Sequence, residues 1–307
     1  MNIAILGAGA MGSLFGGLLA ESGQAVTLLD INDAHIQAIR AHGLRLETES
    51  GDRRVRTLTA CHPERATVPP DLLVVFTKSL HTASALEGIS RLIGPQTLVL
   101  TLQNGLGNVE TVSRFAPLER ILVGMTTWPA DLAGPGHVRS HGDGIIRIMA
   151  ADQLGDSAKV ARALSDAGLR CTVDQFVWKA IWEKVAFNAA LNSICAVTGC
   201  TVDQLGLSPE GMALASAVID EVVAVARAEG VQAEADRCRE SVSHALTHHV
   251  GHKPSMLQDI LAGRLTEVGA INGAVVEKGQ RSGIAVPHTK TLLDLVRLME
   301  ARGLAGG

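Results

Sequence analysis

Residues 1–30 read MNIAILGAGAMGSLFGGLLAESGQAVTLLD, and their pattern indicates the fold class of the N-terminal half. An apolar run at residues 3–6 predicts a buried strand, and the spacing GxGxxG follows it at residues 7–12. Helical spacing comes next, and a second apolar strand at residues 25–29 ends at Asp30. A strand, a glycine turn, a helix and a second strand that ends in a carboxylate are together typical of a dinucleotide-binding unit.

Each glycine of this motif has a separate physical role. Gly7 permits the tight turn, Gly9 lets backbone N–H groups approach a pyrophosphate at the helix N-terminus, and Gly12 allows close packing of helix against strand. A glycine-rich turn without a ligand is the alternative, and the strand context makes it the weaker one. The candidate cofactor-binding residues of this stretch are Gly7, Ala8, Gly9, Ala10, Met11, Gly12 and Asp30.

Strands and helices alternate through the first half of the chain. The pattern predicts a buried strand at residues 72–76, a hairpin of residues 44–48 and 55–59 around Ser50-Gly51-Asp52, and an antiparallel extension of the sheet at residues 124–149. This alternation predicts a mostly parallel sheet with right-handed crossovers. No strand is predicted after residue 173, and the helical segments are 175–197, 209–229, 233–249, 254–280 and 287–301.

We therefore expect an α/β fold class with two domains. Residues 1–172 are predicted to form a Rossmann-type NAD(P)-binding domain, and residues 173–307 an all-helical domain with substrate-binding and catalytic residues. The length of 307 residues agrees with two domains of ~100–200 residues each. Hydrophobic residues make up 47% of the chain, which is enough for a sizeable core and excludes intrinsic disorder.

Composition also argues against several classes of function. The net charge of −4, the 3% of aromatic residues and the lack of a Lys/Arg block disfavour a nucleic-acid surface. Five scattered cysteines without a CxxC pattern indicate a reducing compartment rather than a disulfide scaffold. No apolar run approaches the ~18–20 residues of a membrane span, and no basic leader precedes the first strand. We expect a cytoplasmic protein that binds neither nucleic acid nor membrane.

A row of polar side chains marks the first predicted helix of the second half. Lys184, Asn188 and Asn192 are spaced i, i+4 and i+8, so they lie on one helix face. A solvated stripe is the alternative, but Asn is a poor helix former, and no charged residue occurs between Lys184 and Asp203. The face is therefore expected to be enclosed, where such a row costs stability unless something binds there. A positioned ammonium suits carbonyl reduction, because it stabilises negative charge on oxygen and then donates the proton.

Several motifs, in this order, resemble the ketopantoate reductase (2-dehydropantoate 2-reductase) family over nearly the whole chain. They are residues 7–12, Lys78, Gln103-Asn104-Gly105, Pro135-Gly136, the row Lys184, Asn188 and Asn192, SMLQD at 255–259, GRLTE at 263–267 and ING at 271–273. The resemblance implies reduction of a 2-oxo acid with NADPH to a D-2-hydroxy acid, with 2-dehydropantoate and pantoate of pantothenate biosynthesis as substrate and product.

The resemblance also implies roles for individual residues. Lys184 would be the general acid, and Glu267 would lie beside it and the substrate. The spacing from Ser255 to Glu267 is expected to place both on one long helix and its approach. Asn104 would lie near the nicotinamide and Lys78 near the adenosine end. The implied substrate-binding residues are Asn188, Asn192, Ser255 and His252, the last of which stands where the family often has Asn.

The end of the second strand bears on the choice of cofactor. Asp30 and Ile31 stand where the family tends to have an Arg for the 2′-phosphate of NADPH. A carboxylate there can accept hydrogen bonds from both ribose hydroxyls of NADH and would repel a 2′-phosphate. The sequence thus favours NADH, whereas the resemblance favours NADPH.

Two other functions stay open at this point. One is an NAD-dependent D-2-hydroxyacid dehydrogenase that acts on a bulkier apolar 2-oxo acid. The other is a non-catalytic nucleotide-sensing module, which would be expected to lack Lys184 and Glu267, and both are present.

A histidine cluster and an apolar helical segment leave two further questions open. The cluster His244, His248, His249 and His252 contains i, i+4 pairs that can bind zinc on a helix, but no carboxylate or Cys completes the set within a turn. Surface or cleft histidines are favoured, and no metal is expected. Segment 209–229 is rich in Ala and Val on one face, which could pack in the core or against a second subunit, so a homodimer stays open.

Overall fold

The chain divides into two compact units in the computed structural model, which describes residues 1–305. The first unit comprises residues 1–103 and 108–177, and the second comprises residues 104–107 and the chain from Trp178 onward. The domain bounds predicted from the sequence, 1–172 and 173–307, stay a proposal beside this division. No helix within the described residues is both long and apolar enough to cross a bilayer.

The first unit is built on two sheets. Its strands are β1 (Asn2–Leu6), β2 (Ala25–Leu29), β3 (Leu44–Thr48), β4 (Gly51–Val55), β5 (Thr59–Cys61), β6 (Leu72–Val75), β7 (Leu98–Thr101), β8 (Ile121–Thr126), β9 (Asp131–Gly134), β10 (His137–Ser140), β11 (Ile146–Ala150) and β12 (Cys171–Val173). The main sheet has eight strands in the order β12-β11-β8-β7-β6-β1-β2-β5. The other sheet has four strands in the order β4-β3-β10-β9.

The main sheet is mostly parallel, as predicted. β1 pairs in parallel with β2 and β6, β7 continues this arrangement, and only β11 runs antiparallel to its neighbour β8. All four residues of β6 are buried, which agrees with a strand covered on both faces. The carboxyl ends of β1, β2 and β6 therefore lie side by side at one edge of this unit, next to the glycine motif.

The hairpin differs from the prediction. Its second strand is Gly51–Val55, in antiparallel register with Leu44–Thr48, so the chain turns over Glu49 and Ser50 instead of residues 50–52. Gly51 has a φ of 115°, a conformation that favours glycine, and β4 begins at this residue directly after the turn. Thr59–Cys61 is a separate strand that pairs in parallel with β2 at the edge of the main sheet.

The predicted antiparallel extension at residues 124–149 is only partly correct. β11 does extend the main sheet next to β8. The two short strands between them, β9 and β10, instead join β3 and β4 in the four-stranded sheet, where β10 pairs in parallel with β3. The local sequence pattern predicts that residues form a strand, but tertiary packing decides which sheet that strand joins.

The helices of the first unit connect the parallel strands. They are α1 (Ala10–Glu21), α2 (Asp33–His42), α3 (Thr82–Gly88), α4 (Asn108–Val112) and α5 (Ala158–Asp166). α1 buries Leu14, Phe15 and Leu19 completely, and Gly16 brings its backbone close to Leu28 of β2. This packing holds the start of α1, and with it the glycine motif, rigidly above the sheet.

The second unit is helical throughout its described part, as predicted. Its helices are α6 (Val177–Thr198), α7 (Val202–Gly206), α8 (Pro209–Ala228), α9 (Ala235–His248), α10 (Ser255–Leu261), α11 (Ala274–Ser282) and α12 (Pro287–Ala305). The apolar face of α8 includes Val218 and Val222, which are fully buried, and α8 packs against α11 and α12 of the same chain. The core alternative for segment 209–229 is therefore the one the structure supports.

The single helix predicted at residues 254–280 is wrong. α10 ends at Leu261, and Gly263 then takes up a left-handed φ of 65°, which ends a helix readily. The chain returns to helix through a π-helical turn at Gly269–Gly273 that leads into α11. Ser255 and Glu267 consequently lie on different elements and not along one helix.

Candidate functional site

The glycine motif in the first unit forms a tight loop between β1 and α1. Gly7 has a φ of 94°, and a Cβ placed on it would lie 2.7 Å from the backbone N of Thr77. A Cβ on Gly12 would lie 1.9 Å from the carbonyl oxygen of Gly7. Both positions therefore require glycine, for the turn and for the close approach of helix and strand.

The same loop offers open space for a ligand. Among residues 1–305, no atom lies within 4 Å of a Cβ placed on Gly9, and no side chain caps the N-terminus of α1, where Ala10 and Met11 begin the helix. The first N–H groups of a helix have no partner within the helix and favour an anion. These features fit the pyrophosphate of a nicotinamide dinucleotide.

Asp30 directly follows β2, and its carboxylate is hydrogen-bonded to the backbone of the glycine loop. Its Oδ2 accepts a hydrogen bond from the Ala8 N–H at 2.7 Å, and its Oδ1 accepts one from the Asn32 N–H at 2.9 Å. A carboxylate oxygen can accept more than one hydrogen bond, so both oxygens keep capacity for ribose hydroxyls. Asp30 thus has a structural role that the sequence did not reveal, in addition to the proposed contact with ribose.

Lys78 lies on the segment that follows β6. The neighbouring residues Phe76 and Thr77 provide the atoms nearest to a Cβ on Gly7. Gln103, which follows β7, donates from its Nε2 to the carbonyl oxygen of Thr77 at 2.5 Å and to the Thr82 hydroxyl at 2.7 Å. The structure therefore brings the Lys78 segment next to the glycine loop, and the contact of Lys78 with adenosine stays a proposal.

A buried relay of hydrogen bonds from Gly136 through His35 and Ser13 to Ala8, which the sequence did not predict, supports the loop. The N–H of Gly136 donates to His35 Nδ1 at 2.9 Å, so the proton of the neutral ring is on Nε2 and points to Ser13 Oγ at 3.1 Å. Ser13 in turn donates to the Ala8 carbonyl at 2.7 Å. Burial lowers the pKa of His35 against the opposing charge of Asp30, which keeps the ring neutral near pH 7.

We expect Ser13→Ala to weaken dinucleotide binding. The substitution removes the Ser13 hydroxyl both as an acceptor for the buried Nε2–H of His35 and as a donor to the Ala8 carbonyl, a loss of roughly 1–3 kcal/mol. The KM for NAD(P)H should rise about tenfold, with a smaller change in kcat. Ser22→Ala is the matched control, because the Ser22 hydroxyl donates to the Leu19 carbonyl at the far end of α1. An unchanged KM in Ser13→Ala, measured beside that control, would show that the relay does not position the loop.

Lys184 lies on α6 in the second unit, together with the two asparagines predicted to share its face. Asn188 and Asn192 are each only 7% exposed. Burial around the ammonium lowers the pKa of Lys184 to about 8, and the nearby carboxylate of Glu267 opposes that shift. The expected enclosure of this row is confirmed for both asparagines, and the lowered pKa suits a group that must donate a proton near neutral pH.

Glu267 and the residues that follow it are hydrogen-bonded to the Gln-Asn-Gly segment. Asn104 donates from Nδ2 to Glu267 Oε2 at 3.2 Å, and the Leu106 N–H donates to the Ala270 carbonyl at 2.8 Å. Gly105 between them has a φ of 85°, and a Cβ there would lie 2.4 Å from the same carbonyl. The Gln-Asn-Gly motif therefore fixes Asn104 against the segment that carries Glu267.

Asn272 ties that segment to the helix that carries Lys184. It is fully buried, and its Nδ2 lies 3.4 Å from the Ala189 carbonyl and 3.3 Å from Ser193 Oγ, on α6. These two acceptors each follow one of the buried asparagines in the chain. Asn272 belongs to the ING motif of the resemblance, but only the structure shows that it anchors the π-helical turn beside Lys184.

The structure brings some predicted residues together and leaves others as proposals. Lys184, Glu267 and Asn104 form one group. Ser255 begins α10 with an exposed side chain, and His252 is exposed in the preceding loop, where its carbonyl accepts the Val202 N–H at 3.0 Å. The contacts of Ser255 and His252 with a substrate stay predictions.

The histidine cluster lies at the end of α9. The rings of His244 and His248 stack with centroids 4.1 Å apart, and those of His249 and His252 are 5.7 Å apart. Within residues 1–305, no group of three or more His, Cys, Asp or Glu side chains is placed to hold a metal ion. The role of these histidines stays a prediction.

Comparisons with known proteins show the family of the chain. The family model described as ketopantoate reductase PanE/ApbA matches residues 3–153, and that of its C-terminal domain matches residues 177–300. The 2-dehydropantoate 2-reductase of Streptococcus pyogenes serotype M1 is 36% identical over 304 residues, which cover 98% of each chain. The 2-dehydropantoate 2-reductase of Halobacterium salinarum is 37% identical over 305 residues, or 99% of this chain and 100% of the relative.

Solved structures show the same relationship. A PanE/ApbA family ketopantoate reductase from Ralstonia eutropha has a TM-score of 0.91 at 34% identity, covering 99% of this chain and 100% of that one. D-mandelate dehydrogenase, solved with NADH and anilino(oxo)acetate, has a TM-score of 0.93 at 32% identity, covering 99% of each chain. With both family models matched in order and relatives aligned end to end, the chain belongs to the ketopantoate reductase family.

Proposed function

We propose that this protein reduces 2-dehydropantoate to pantoate, a D-2-hydroxy acid, with a nicotinamide dinucleotide, and so serves pantothenate biosynthesis. The observation that carries the proposal is the half-buried Lys184 beside Glu267, with Asn188 and Asn192 buried on the same helix face. The sequence relatives named 2-dehydropantoate 2-reductase support the choice of substrate.

Lys184 would act on the carbonyl oxygen of the substrate. A bound nicotinamide dinucleotide supplies a hydride to the carbonyl carbon. As negative charge grows on the oxygen, the Lys184 ammonium stabilises it and then transfers its proton to give the hydroxyl. With a pKa of about 8, Lys184 is mostly protonated at neutral pH and still gives up its proton readily.

The other polar residues would bind and orient the substrate. Asn188 and Asn192 can donate and accept hydrogen bonds, which suits the substrate hydroxyl and carboxylate. Ser255 and His252 would complete this set. Glu267, held by Asn104, would keep the ammonium charged and in place. In the first unit, residues 7–12, Asp30 and Lys78 would hold the dinucleotide.

Glu267→Gln is expected to raise the substrate KM and to lower the pKa that governs activity. The carboxylate of Glu267 raises the pKa of Lys184, so its removal lets burial lower that pKa below about 8. The alkaline limb of the kcat/KM profile should therefore move to lower pH. Glu277→Gln is the control, because Glu277 is exposed and ion-paired with Arg281. A limb that stays in place would reduce Glu267 to a structural residue.

We further propose that the enzyme uses NADH at least as well as NADPH. The 2′-phosphate of NADPH would face the carboxylate of Asp30, and two like charges ~5 Å apart repel by roughly 3 kcal/mol at an effective dielectric near 20. Lys78 would offset part of that repulsion. The solved D-mandelate dehydrogenase with NADH, at 32% identity, supports this cofactor.

Asp30→Asn tests the cofactor proposal better than removal of the side chain, because Asn keeps an acceptor for the Ala8 N–H. Its ratio of kcat/KM for NADPH over NADH should rise roughly tenfold, since part of the repulsion is offset. Asp33→Asn removes a neighbouring exposed carboxylate and should leave the ratio unchanged. A clear NADPH preference in the wild type that persists in Asp30→Asn would contradict the proposal.

A second candidate function is an NAD-dependent D-2-hydroxyacid dehydrogenase on a bulkier apolar 2-oxo acid. The similarity to D-mandelate dehydrogenase favours it. The discriminating experiment compares kcat/KM of the purified protein for 2-dehydropantoate and for a 2-oxo acid with a phenyl substituent. Our proposal expects 2-dehydropantoate to be preferred, and the reverse order supports the alternative. Binding of NADH without turnover of either acid would indicate the nucleotide-sensing module.

The location and the assembly of the protein are the last two parts of the proposal. Five free cysteines suit a reducing compartment, so we place the protein in the cytoplasm. We also propose a homodimer. The apolar face of α8 packs against helices of the same chain, so a dimer interface would have to use another surface. Sedimentation of the purified protein tests it directly.

A further inference from the structure

A cavity of about 480 Å³ lies in the first unit, between α2 and the edge strand β5. Its volume falls in the ~300–1,000 Å³ range of small-molecule sites. The proposed function gives it no role, since none of the residues that line it belongs to the proposed dinucleotide or substrate site. Exposed arginines line one part of the cavity, here called the rim (Arg40, Arg56 and Arg65). Buried apolar residues line another part, here called the floor (Ile39, Leu58 and Ala60).

Three guanidinium groups from separate segments form the rim. Arg40 lies in the last turn of α2, Arg56 directly follows β4, and Arg65 ends the 3₁₀ turn Pro63–Arg65. All three are exposed, and none of the residues that line the cavity is acidic. The chain as a whole has a net charge of −4, so this local positive charge is not a general property of its surface.

These arginines differ from their neighbours in the same unit. Arg45 is paired with Asp52 at 2.6 Å, and Arg53 with Glu21 at 2.6 Å. Within residues 1–305, Arg40, Arg56 and Arg65 form no ion pair. Each guanidinium is planar and presents several N–H donors, so a group of three around one cavity is suited to binding phosphate oxygens.

Cys61 shows which chemistry the cavity can support. Cys61 also lines the cavity, and the positive charges of Arg40 and Arg65 favour ionisation of its thiol. Burial has the larger effect and raises the pKa of Cys61 overall, which keeps the thiol protonated and a poor nucleophile. The basic residues of the lining, and not Cys61, are therefore the groups that would bind a ligand.

The floor adds a requirement for an apolar part of the ligand. Ile39, Leu58 and Ala60 line it, and each is less than 9% exposed. An inorganic anion would contact only the rim. We propose that this cavity is an accessory binding site for a small organic phosphate, with the phosphates on Arg40, Arg56 and Arg65 and an apolar or aromatic body on the floor.

The test measures binding of ADP and of inorganic pyrophosphate by calorimetry to the full chain saturated with NADH. Saturation with NADH keeps both probes out of the dinucleotide site. Wild type should bind ADP saturably and more tightly than pyrophosphate, and added salt should weaken both. Arg40→Gln, Arg56→Gln and Arg65→Gln should each weaken ADP binding by roughly three- to fivefold, as expected for exposed charge pairs.

Arg54→Gln is the matched control, because Arg54 is an exposed arginine of β4 outside the cavity. It should leave ADP binding unchanged, and an equal loss there would show general surface charge and overturn the proposal. ADP binding that disappears as NADH rises, or a KM for NADPH that rises in Arg65→Gln, would assign the arginines to the cofactor site and also overturn it. Equal affinities for ADP and pyrophosphate would refute the role of the apolar floor.

Discussion

Lys184→Ala is expected to lower kcat for 2-oxo acid reduction by roughly 10²–10⁴-fold, the range for loss of a general acid. The ammonium is the group that stabilises charge on the carbonyl oxygen and donates the proton. The KM for NAD(P)H should change little, because the glycine motif lies in the other unit. Steady-state kinetics with 2-dehydropantoate measure both effects.

Lys179→Ala is the control for this substitution. Lys179 lies on the same helix and is ion-paired with Glu234, so the change removes a lysine without touching the proposed site. Its kcat should stay within about twofold of the wild type, since an ion pair of this kind contributes little. Near-normal turnover of Lys184→Ala, in a protein with the Tm of the wild type, would show that Lys184 is not the general acid.

Gly12→Ala is expected to have the second largest effect. Its Cβ would lie 1.9 Å from the carbonyl oxygen of Gly7, and backbone atoms cannot move aside as a side chain can. Overpacking of this kind costs roughly 1–3 kcal/mol or more. If the strain falls on the loop, the KM for NAD(P)H rises by roughly 10- to 100-fold. Kinetics and thermal unfolding together divide the effect between binding and stability.

Two other glycines separate the steric argument from a general effect of substitution. Gly9→Ala meets no protein atom within 4 Å, so Tm should be unchanged while dinucleotide affinity falls, because the methyl group would point to the proposed pyrophosphate. Gly88→Ala, at the end of α3, also meets nothing and should change neither quantity. Loss of affinity in all three variants alike would refute the assignment of the loop.

The parts of the fold that follow from local pattern were predicted from sequence. The glycine motif, the two strands beside it and the polar row on α6 each depend on periodicity within one element. The shift of the hairpin to Gly51–Val55 came from a two-residue turn, which the apolar pattern does not locate. The false helix over residues 254–280 came from helical spacing that continues past Gly263, where the backbone is left-handed.

The supporting contacts of the site could not be predicted, because they join residues far apart in the chain. His35 reaches Gly136, and Asn104 reaches Glu267. His35 occupies a buried position of an amphipathic helix, where the sequence shows only that a side chain faces inward. The resemblance to a family identified Asn104 and Glu267, and the hydrogen bond between them is a result of the structure.

The pH dependence of kcat/KM for 2-dehydropantoate at saturating NADH tests directly whether Lys184 is the general acid. Burial lowers the pKa of Lys184 to about 8, and only the protonated lysine can donate, so activity should be full at neutral pH and fall as pH rises through about 8. A profile that stays level to the ordinary lysine pKa of ~10.4 would contradict the assignment of Lys184 as general acid in this family member. The same falling limb, unchanged in Lys184→Ala, would contradict it equally.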